Sequence, residues 1–385
     1  MSQSKRMLPV RPPIIFILLL FLVGPAALLQ GNNPLLWMLC VLIVIGLSAL
    51  LLSRVVLRQI IVRRILPDHG VVGEPLVVGY EFSRRARRLA SFDITITERF
   101  HDTTLSDSCP AWILHAGPRQ TVHGEGLFVP ASRGRMAFCD MEIRTGFPMG
   151  ITPCRRIFRM SQDLRIHPAI VRLKSNLVQS IVGAGGEGRR SVDRHGSGLD
   201  YFGTRAARTG DGWRDIAWKI SARRNTLVAI ERARPASPRL RVVLDLTVPT
   251  DQLQVSADET FTASELEERA ISLAASILRD ASSRGYDTGL TIQGLSAPPH
   301  PLRAGLRHIS RMLGTLADLD LQQPRQPWEP VPERERSGLV VIHPDRVRQP
   351  LKRSNAWHLT GRQLDELSES SSQPADKPVS TETAA

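Results

Sequence analysis

A long uncharged stretch near the start of the chain constrains the fold more than any other feature. It runs for 42 residues, from Pro12 to Ser53, between Arg11 and Arg54. The turn-forming run Gln30-Gly31-Asn32-Asn33-Pro34 divides it into apolar halves of 18 and 19 residues. A helix needs about 20 residues to cross a bilayer core, and about 17 can suffice. The stretch therefore predicts a transmembrane hairpin of two helices over residues 12–53.

Basic residues flank this predicted hairpin on both sides, while the turn between its halves has no positive charge. The flanking residues are Lys5, Arg6, Arg11, Arg54, Arg58, Arg63 and Arg64. Positive charge marks the cytoplasmic side of a membrane segment. We therefore predict a multi-pass protein of the cytoplasmic membrane, with residues 1–11 and everything after the hairpin in the cytoplasm. A cleaved signal peptide is the alternative, but a second apolar segment directly behind the first argues against it.

The charge distribution does not favour nucleic-acid binding, although the net charge is +13. Residues 54–88 contribute eight basic and three acidic side chains beside the predicted membrane segment, where lipid headgroups attract them. Residues 187–234 contribute eleven basic and six acidic side chains, so their charges are largely interleaved. Neither segment is an unbroken basic stripe with stacking aromatics. We expect the bilayer, not a nucleic acid, as the partner, and a basic protein that binds nucleic acid or lipid surfaces remains an alternative.

Short alternating segments follow the hairpin and predict a β-rich domain over residues 65–168. Phe92–Thr97 alternates apolar and polar side chains, and Gly73-Glu74-Pro75 and Gly117-Pro118 supply turns. No helical period of ten residues interrupts them, which is typical of a small β-sandwich. The arginines Arg84, Arg85, Arg87 and Arg88 fall in a predicted hairpin loop. They form either a solvated turn or a contact with anionic lipid headgroups.

The glycine-rich residues 181–198 are expected to form a flexible linker. A phosphate-binding loop would end in Gly-Lys-Ser/Thr and open a helix, whereas this run ends in Arg189-Arg190. We therefore do not expect nucleotide binding here.

Strand and helix patterns alternate over residues 239–360. Leu240–Leu246, Gly289–Ile292 and Leu339–Ile342 read as strands, and Glu265–Ser282 and Leu302–Leu316 read as helices. This order predicts an α/β domain with a parallel sheet. The tail, residues 361–385, is rich in Ser, Glu, Gln and Pro and is expected to be disordered.

A dense mixture of Arg, Asp and Trp lies within residues 169–238. Its key residues are Phe202, Arg205, Gly210, Asp211, Arg214, Ile216, Trp218, Ala222 and Arg223. Their order and spacing resemble the signature of the DUF58 family. Phe202 is one residue closer to Arg205 than in that signature, and Ala207 stands where the family has a tyrosine.

The resemblance covers nearly the whole chain and implies a fold and a role. It implies a membrane hairpin, a β-rich segment and a C-terminal half like a von Willebrand factor A domain, over residues 239–360. It also implies a MoxR-type AAA+ ATPase as partner, often alongside a transglutaminase-like membrane protein. The expected function is that of a membrane-anchored adaptor or interaction protein in assembly or maturation at the membrane.

The motif residues allow a structural and a functional interpretation. In the structural one, the aspartates accept hydrogen bonds from the guanidinium groups, and the indole rings cover these pairs from water. In the functional one, they form a docking surface, because Trp and Arg are enriched in binding hot spots. We favour the structural interpretation, which predicts that Trp218 is buried and that Arg223 pairs with a buried carboxylate.

The von Willebrand resemblance also implies a Mg²⁺ site after the first strand of the α/β domain. Asp245, Thr247 and Asp345 could supply oxygen ligands, but Pro249 stands where a third side-chain oxygen is expected. We therefore expect no metal and no cofactor. Neither a Gly-x-Ser-x-Gly nor a His-Glu-x-x-His motif is present, so no catalytic residue is predicted and we do not expect an enzyme. A hydrolase with an unrecognised site is the remaining alternative.

Overall fold

The computed structural model describes most of the chain and divides it into two compact units, with the boundary between His167 and Pro168. The described residues are 12–31, 33–58, 60–84, 90–101, 105–148, 150–184, 192–234, 238–255, 261–329, 337–347 and 356–369.

Two apolar helices begin the first unit, α1 (Pro12–Gln30) and α2 (Asn33–Val56). Their contacts show that they lie antiparallel. Phe16, early in α1, packs on Gly46 in the second half of α2, and Gly24, later in α1, faces Leu39 in the first half of α2. Helix α2 is long and apolar enough to cross a membrane, whereas the apolar part of α1 is shorter. The two helices occupy the place of the predicted hairpin, and the crossing of the bilayer by both of them stays a prediction.

Nine strands of the described residues form the rest of this unit. They are β1 (Ile60–Ile65), β2 (Gly70–Val71), β3 (Leu76–Arg84), β4 (Ser91–His101), β5 (Leu105–Cys109), β6 (Ala111–Ala116), β7 (Thr121–Pro130), β8 (Gly134–Thr145) and β9 (Cys154–His167). One sheet has the order β1-β3-β7-β5 and the other β2-β9-β8-β4-β6. Alternate side chains of β3 face inward, as Val78 and Phe82 do, and pack in one core with Ile94 and Ile96 of the other sheet. This is the predicted β-sandwich, which begins at Ile60 rather than at residue 65.

The second unit is built on a five-stranded sheet. Its strands are β12 (Arg239–Asp245), β13 (Asp287–Gln293), β14 (His300–Arg303), β15 (Gly338–His343) and β16 (Ala356–Thr360). The order is β14-β13-β12-β15-β16, and all neighbours are parallel except β14, which is antiparallel at one edge. A hairpin of β10 (Val192–Ala206) and β11 (Val228–Arg234) precedes this sheet in the chain.

Helices cover one face of this sheet. They are α3 (Leu177–Ala184), α5 (Ala263–Ser283), α6 (Leu306–Ala317) and α7 (Leu364–Leu367). Side chains of β12, such as Val242 and Leu244, pack with Leu273 and Ile277 of α5. The N-terminus of α5 is fixed by Thr262 and Glu265, which exchange side-chain and backbone hydrogen bonds. The predicted parallel α/β unit is therefore confirmed, while its likeness to a von Willebrand factor A domain stays a prediction.

Two predictions about irregular segments are wrong in part. In the glycine-rich run, residues 181–184 end helix α3, and Gly196-Ser197-Gly198 lies in β10, which pairs with β11 although the register shifts there. Residues 185–191 of that run lie outside the described residues. The tail is folded from Gly361 to Glu369, and Arg269 of α5 donates hydrogen bonds to the Gly361 carbonyl and the Asp365 carboxylate. Residues 370–385 of the tail lie outside the described residues.

The helix expected over Leu302–Leu316 begins later. Residues 300–303 form β14, and Gly305 precedes α6 with a φ of 122°, a backbone conformation that side-chain-bearing residues rarely adopt. The glycine therefore separates strand from helix at a point where the apolar spacing is continuous.

Candidate functional site

The predicted motif lies on the β10–β11 hairpin and in the segment that joins its strands. That segment contains a 3₁₀ turn at Trp213–Asp215 and a short helix, α4 (Trp218–Arg224). Motif residues from Arg205 to Arg223 therefore belong to one substructure. Phe202 lies in β10, and its side chain is outside the described part of the chain.

Arg205 and Asp211 form a bidentate ion pair between the end of β10 and the segment that follows it. The Nη1 and Nη2 atoms of Arg205 donate to the two Asp211 carboxylate oxygens at 2.8 and 2.7 Å, and Nε lies 3.2 Å from Glu231. The Arg208 backbone N–H also donates to Asp211, at 2.7 Å. These hydrogen bonds, that from Arg205 above all, lower the pKa of Asp211 to about 2. Gly210, with a φ of 109°, makes the turn that brings Asp211 back to Arg205. The predicted Arg–Asp pairing is confirmed here.

Small residues attach α4 to strand β11. The Ala217 N–H donates to the Val228 carbonyl at 2.8 Å, and the Ser221 hydroxyl accepts from the Val228 N–H at 2.9 Å. Ala217, Ser221 and Val228 are buried. Ala217, directly before α4, and Ser221 within it therefore take the inward positions of this seven-residue helix. Its larger side chains face outward.

Both tryptophans of the segment are consequently at the surface. Trp213 is 79% exposed and Trp218 is 52% exposed. Their rings stack with centroids 5.9 Å apart and planes inclined by 26°. The prediction that Trp218 is buried is therefore wrong, because Ala217 and Ser221 occupy the positions that it would need.

The cations of the segment are exposed as well. They are Arg208, Arg214, Lys219, Arg223 and Arg224, and Ala222 is exposed beside them. Arg223 has no carboxylate partner among the residues that the structure describes, so the prediction of a buried pair at Arg223 is also wrong. We call Trp213, Trp218 and these five cations the tryptophan surface. This surface thus combines two exposed indole rings with five exposed cations, and Arg205 engages the carboxylates of Asp211 and Glu231.

A second polar arrangement lies at the carboxyl edge of the parallel sheet, on three adjacent strands. His343 is the last residue of β15, and its Nδ1 lies 2.8 Å from Oδ2 of Asp245, the last residue of β12. The His343 Nε2 lies 3.1 Å from Nδ1 of His358 in β16, and the two rings stack. Thr247 donates to the other oxygen of Asp245 through its hydroxyl, at 2.7 Å, and its backbone N–H, at 3.1 Å. Four side chains thus form one hydrogen-bonded chain.

The state of the Asp245 carboxylate fixes the direction of its hydrogen bond with His343. Burial raises the pKa of Asp245, but the hydrogen bonds from His343 and Thr247 outweigh that effect, and the pKa lies below its ordinary value. An ionised carboxylate only accepts, so the His343 Nδ1 carries a hydrogen. The His343 Nε2 and the His358 Nδ1 share one hydrogen, so one of these two nitrogens donates to the other. Burial, together with His343, lowers the pKa of His358.

The expected metal ligands are engaged within the protein. Thr247 and His343 hold the Asp245 carboxylate, and Asp345 accepts from the backbone N–H groups of Gln254 and Arg346 at 3.1 and 2.8 Å. Among the described residues, no three His, Cys, Asp or Glu side chains are grouped as metal ligands. The expectation that Mg²⁺ does not bind stays a prediction.

The sequence reasoning missed His343 and His358. The available signal was weak: His343 directly follows a predicted strand end, where ligand-binding residues of parallel sheets occur. The adjacency of β16 to β15 could not be predicted, and it is this adjacency that brings His358 to His343.

Comparison with known proteins places the site in a recognised segment. Residues 203–372 match the sequence profile of a family described as "Protein of unknown function DUF58". The chain is also similar to the "Uncharacterized protein YeaD" of Bacillus subtilis (strain 168), with 26% identity over 185 residues. That match covers 48% of this chain and 42% of the relative, so the chain spans less than half of its length. The whole tryptophan surface, and the hydrogen-bonded side chains of Thr247, Asp245, His343 and His358, lie within residues 203–372.

Proposed function

From the match of residues 203–372 to the DUF58 family, we propose that the chain is a membrane-anchored interaction protein of this family whose tryptophan surface docks a protein partner. The observation that carries the proposal is the exposure of two stacked indole rings, Trp213 and Trp218, on a hairpin held rigid by Arg205 and Asp211.

Exposed tryptophans on a fixed support are typical of binding hot spots. Trp and Arg are the side chains most often found at the energetic centre of protein interfaces. Rings that already stack lose little conformational freedom on binding, which lowers the entropy cost of association. The tryptophan surface therefore has both the composition and the preorganisation of a docking site.

The charge of the surface indicates the chemistry of its partner. Five exposed cations lie in the same segment as the rings, and Asp211 and Glu231 are engaged by Arg205. An acidic partner surface with an apolar centre would complement this arrangement and would be attracted to it over distance. By family resemblance the partner is a MoxR-type AAA+ ATPase, acting beside a transglutaminase-like membrane protein in assembly or maturation.

Helix α2 supports anchorage at the membrane, since it is long and apolar enough to cross a bilayer. We propose that α1 and α2 cross together as a hairpin and that both units face the cytoplasm. The anchor would hold the tryptophan surface near other membrane-bound components.

The proposal is tested by affinity purification of the full chain from detergent extracts, with quantitative mass spectrometry. Trp213→Ala together with Trp218→Ala should reduce recovery of the ATPase by about thirtyfold or more, as expected for loss of a hot spot. Melting temperature should change little, because loss of one exposed stacking contact costs about 1 kcal/mol.

The matched control is Trp112→Ala, which removes a tryptophan that is 58% exposed in the first unit. It should leave recovery of the partner unchanged. Full recovery with the double variant would contradict the docking role, and a large fall in its melting temperature would restore the structural interpretation.

A further inference from the structure

The C-terminal end of α2 is hydrogen-bonded to side chains of three strands of the β-sandwich. Arg84 of β3 donates from Nη2 to the Val55 carbonyl at 2.7 Å, and the Ser91 hydroxyl of β4 donates to the Val56 carbonyl at 3.2 Å. Arg156 of β9 donates from Nη1 to the Leu57 carbonyl at 3.1 Å. Side-chain donors thus satisfy carbonyls that a helix end leaves free. One end of the sandwich is therefore held directly at the end of this helix.

The strand register shows which other segments lie at that end. Arg84, the last residue of β3, pairs with Ile60, the first of β1, and the neighbouring Ser83 pairs with Thr121, the first of β7. The turn between β6 and β7, residues 117–120, therefore lies there. The start of β9 lies there too, since Ile94, near the start of β4, pairs with Thr145, which pairs with Cys154.

Exposed arginines from four segments meet at this end. They are Arg54 and Arg58 beside the end of α2, Arg119 in the turn before β7, Arg144 at the end of β8, and Arg155 and Arg156 at the start of β9. We call these six side chains the basic end.

Nearby acids leave much of this charge uncompensated. Glu142 lies among Arg99, Arg144 and Arg155, at 2.9, 2.7 and 4.0 Å. The Asp93 carboxylate accepts from the Trp112 indole and the Gly146 N–H. Among the described residues of this end, two carboxylates therefore stand against the six arginines, and the basic end keeps a net positive charge.

We propose that the basic end binds the headgroups of anionic phospholipids in the leaflet where α2 ends. The inference concerns the bilayer and not the protein partner of the tryptophan surface, and it relies on α2 crossing the membrane. Where α2 crosses, Arg54 lies at the interface, and the hydrogen bonds from Arg84, Ser91 and Arg156 keep the sandwich within reach of the same headgroups. Guanidinium groups suit this role because they bind phosphate oxygens in pairs.

The test is native mass spectrometry of the full chain in detergent, titrated in parallel with phosphatidylglycerol and with phosphatidylcholine. Phosphatidylglycerol should be retained more strongly. Raising the ionic strength from about 0.1 M to about 1 M should weaken the preference, because the Debye length falls from about 10 Å to about 3 Å. The variant Arg58→Gln, Arg119→Gln, Arg155→Gln should lose about fivefold per arginine, on the order of a hundredfold in total.

The matched control is Arg135→Gln, Arg159→Gln, Arg165→Gln, which removes the same charge from exposed positions towards the other end of β8 and β9. It should keep the preference for phosphatidylglycerol. Equal retention of the two lipids by the wild-type chain would overturn the proposal whatever the variants do, and so would an equal loss in both variants. Displacement of the lipid by inorganic phosphate or duplex DNA at similar concentrations would assign the basic end to those ligands instead.

Discussion

At the residue scale, His358 makes the stability of the second unit depend on pH. Burial and the neighbouring His343 lower its pKa from the ordinary value of 6.5. Between the two values the unfolded chain binds more protons than the folded one, so stability rises with pH in that window. The contribution of His358 is therefore complete above about pH 6.5 and declines as the pH falls towards the folded pKa.

We predict that the melting temperature of the full chain in detergent falls between about pH 7 and about pH 5, and that His358→Asn flattens part of this fall. His300 adds to the same slope, because burial, His308 and Arg311 lower its pKa, and His300→Asn should flatten a further part. Asp245 contributes in a different window, below its ordinary value of 3.8. His123→Gln, an exposed position on β7, is the control and should leave the profile unchanged. A profile that His358→Asn does not alter would contradict the prediction.

That arginines pair with aspartates in the motif could be predicted, but not which of them pair or which side chains face outward. The mixture of Arg and Asp indicated ion pairs, and the structure contains one between Arg205 and Asp211. The direction of Trp218 depends on Ala217 and Ser221, small residues that carry no strong sequence signal. Arg64 shows the same difficulty, since its charge reads as a membrane flank but its guanidinium is buried against Glu98.

At the element scale, the attachment of α4 to β11 decides whether the tryptophan surface is presented. Ser221→Ala removes the hydroxyl that accepts from the buried Val228 N–H. An unsatisfied buried donor costs about 1–3 kcal/mol, so we expect a lower melting temperature and weaker partner recovery. Thr226→Ala, an exposed position between α4 and β11, should change stability by about 0.5 kcal/mol or less. An unchanged melting temperature for Ser221→Ala would show that α4 is held in another way.

Elements with a regular apolar period were predicted well, and elements without one were missed. The helix expected over Glu265–Ser282 is α5, and its ends differ by two residues or fewer because a regular apolar face and a capping box both specify it. Strands β10 and β14 were missed. The first contains glycines that read as a flexible linker, and the second has four residues, too few to show a period of two.

At the scale of the whole molecule, the order of the patterns predicted the order of the parts. An uncharged stretch, then alternating strands, then alternating strands and helices correspond to the helices, the sandwich and the parallel sheet. Sites that depend on contacts between distant strands could not be derived in this way. The chain from Asp245 through His343 to His358 joins strands separated by about a hundred residues of sequence, and only the strand order creates it.

The orientation of the chain in the membrane is the largest-scale prediction. The sandwich begins at Ile60, only four residues after α2 ends at Val56, so the side on which α2 ends fixes the side of the whole first unit. Basic residues before α1 and after α2, with none in the turn between them, predict that both ends are cytoplasmic. A reporter active only in the cytoplasm should be active when fused after Gly70, and one active only outside should be active when fused after Gly31, in the turn. Activity of the outside reporter after Gly70 would show that only one helix crosses or that the orientation is reversed. It would also place the tryptophan surface where no cytoplasmic ATPase could reach it, so this single fusion tests the premise on which the proposed partner depends.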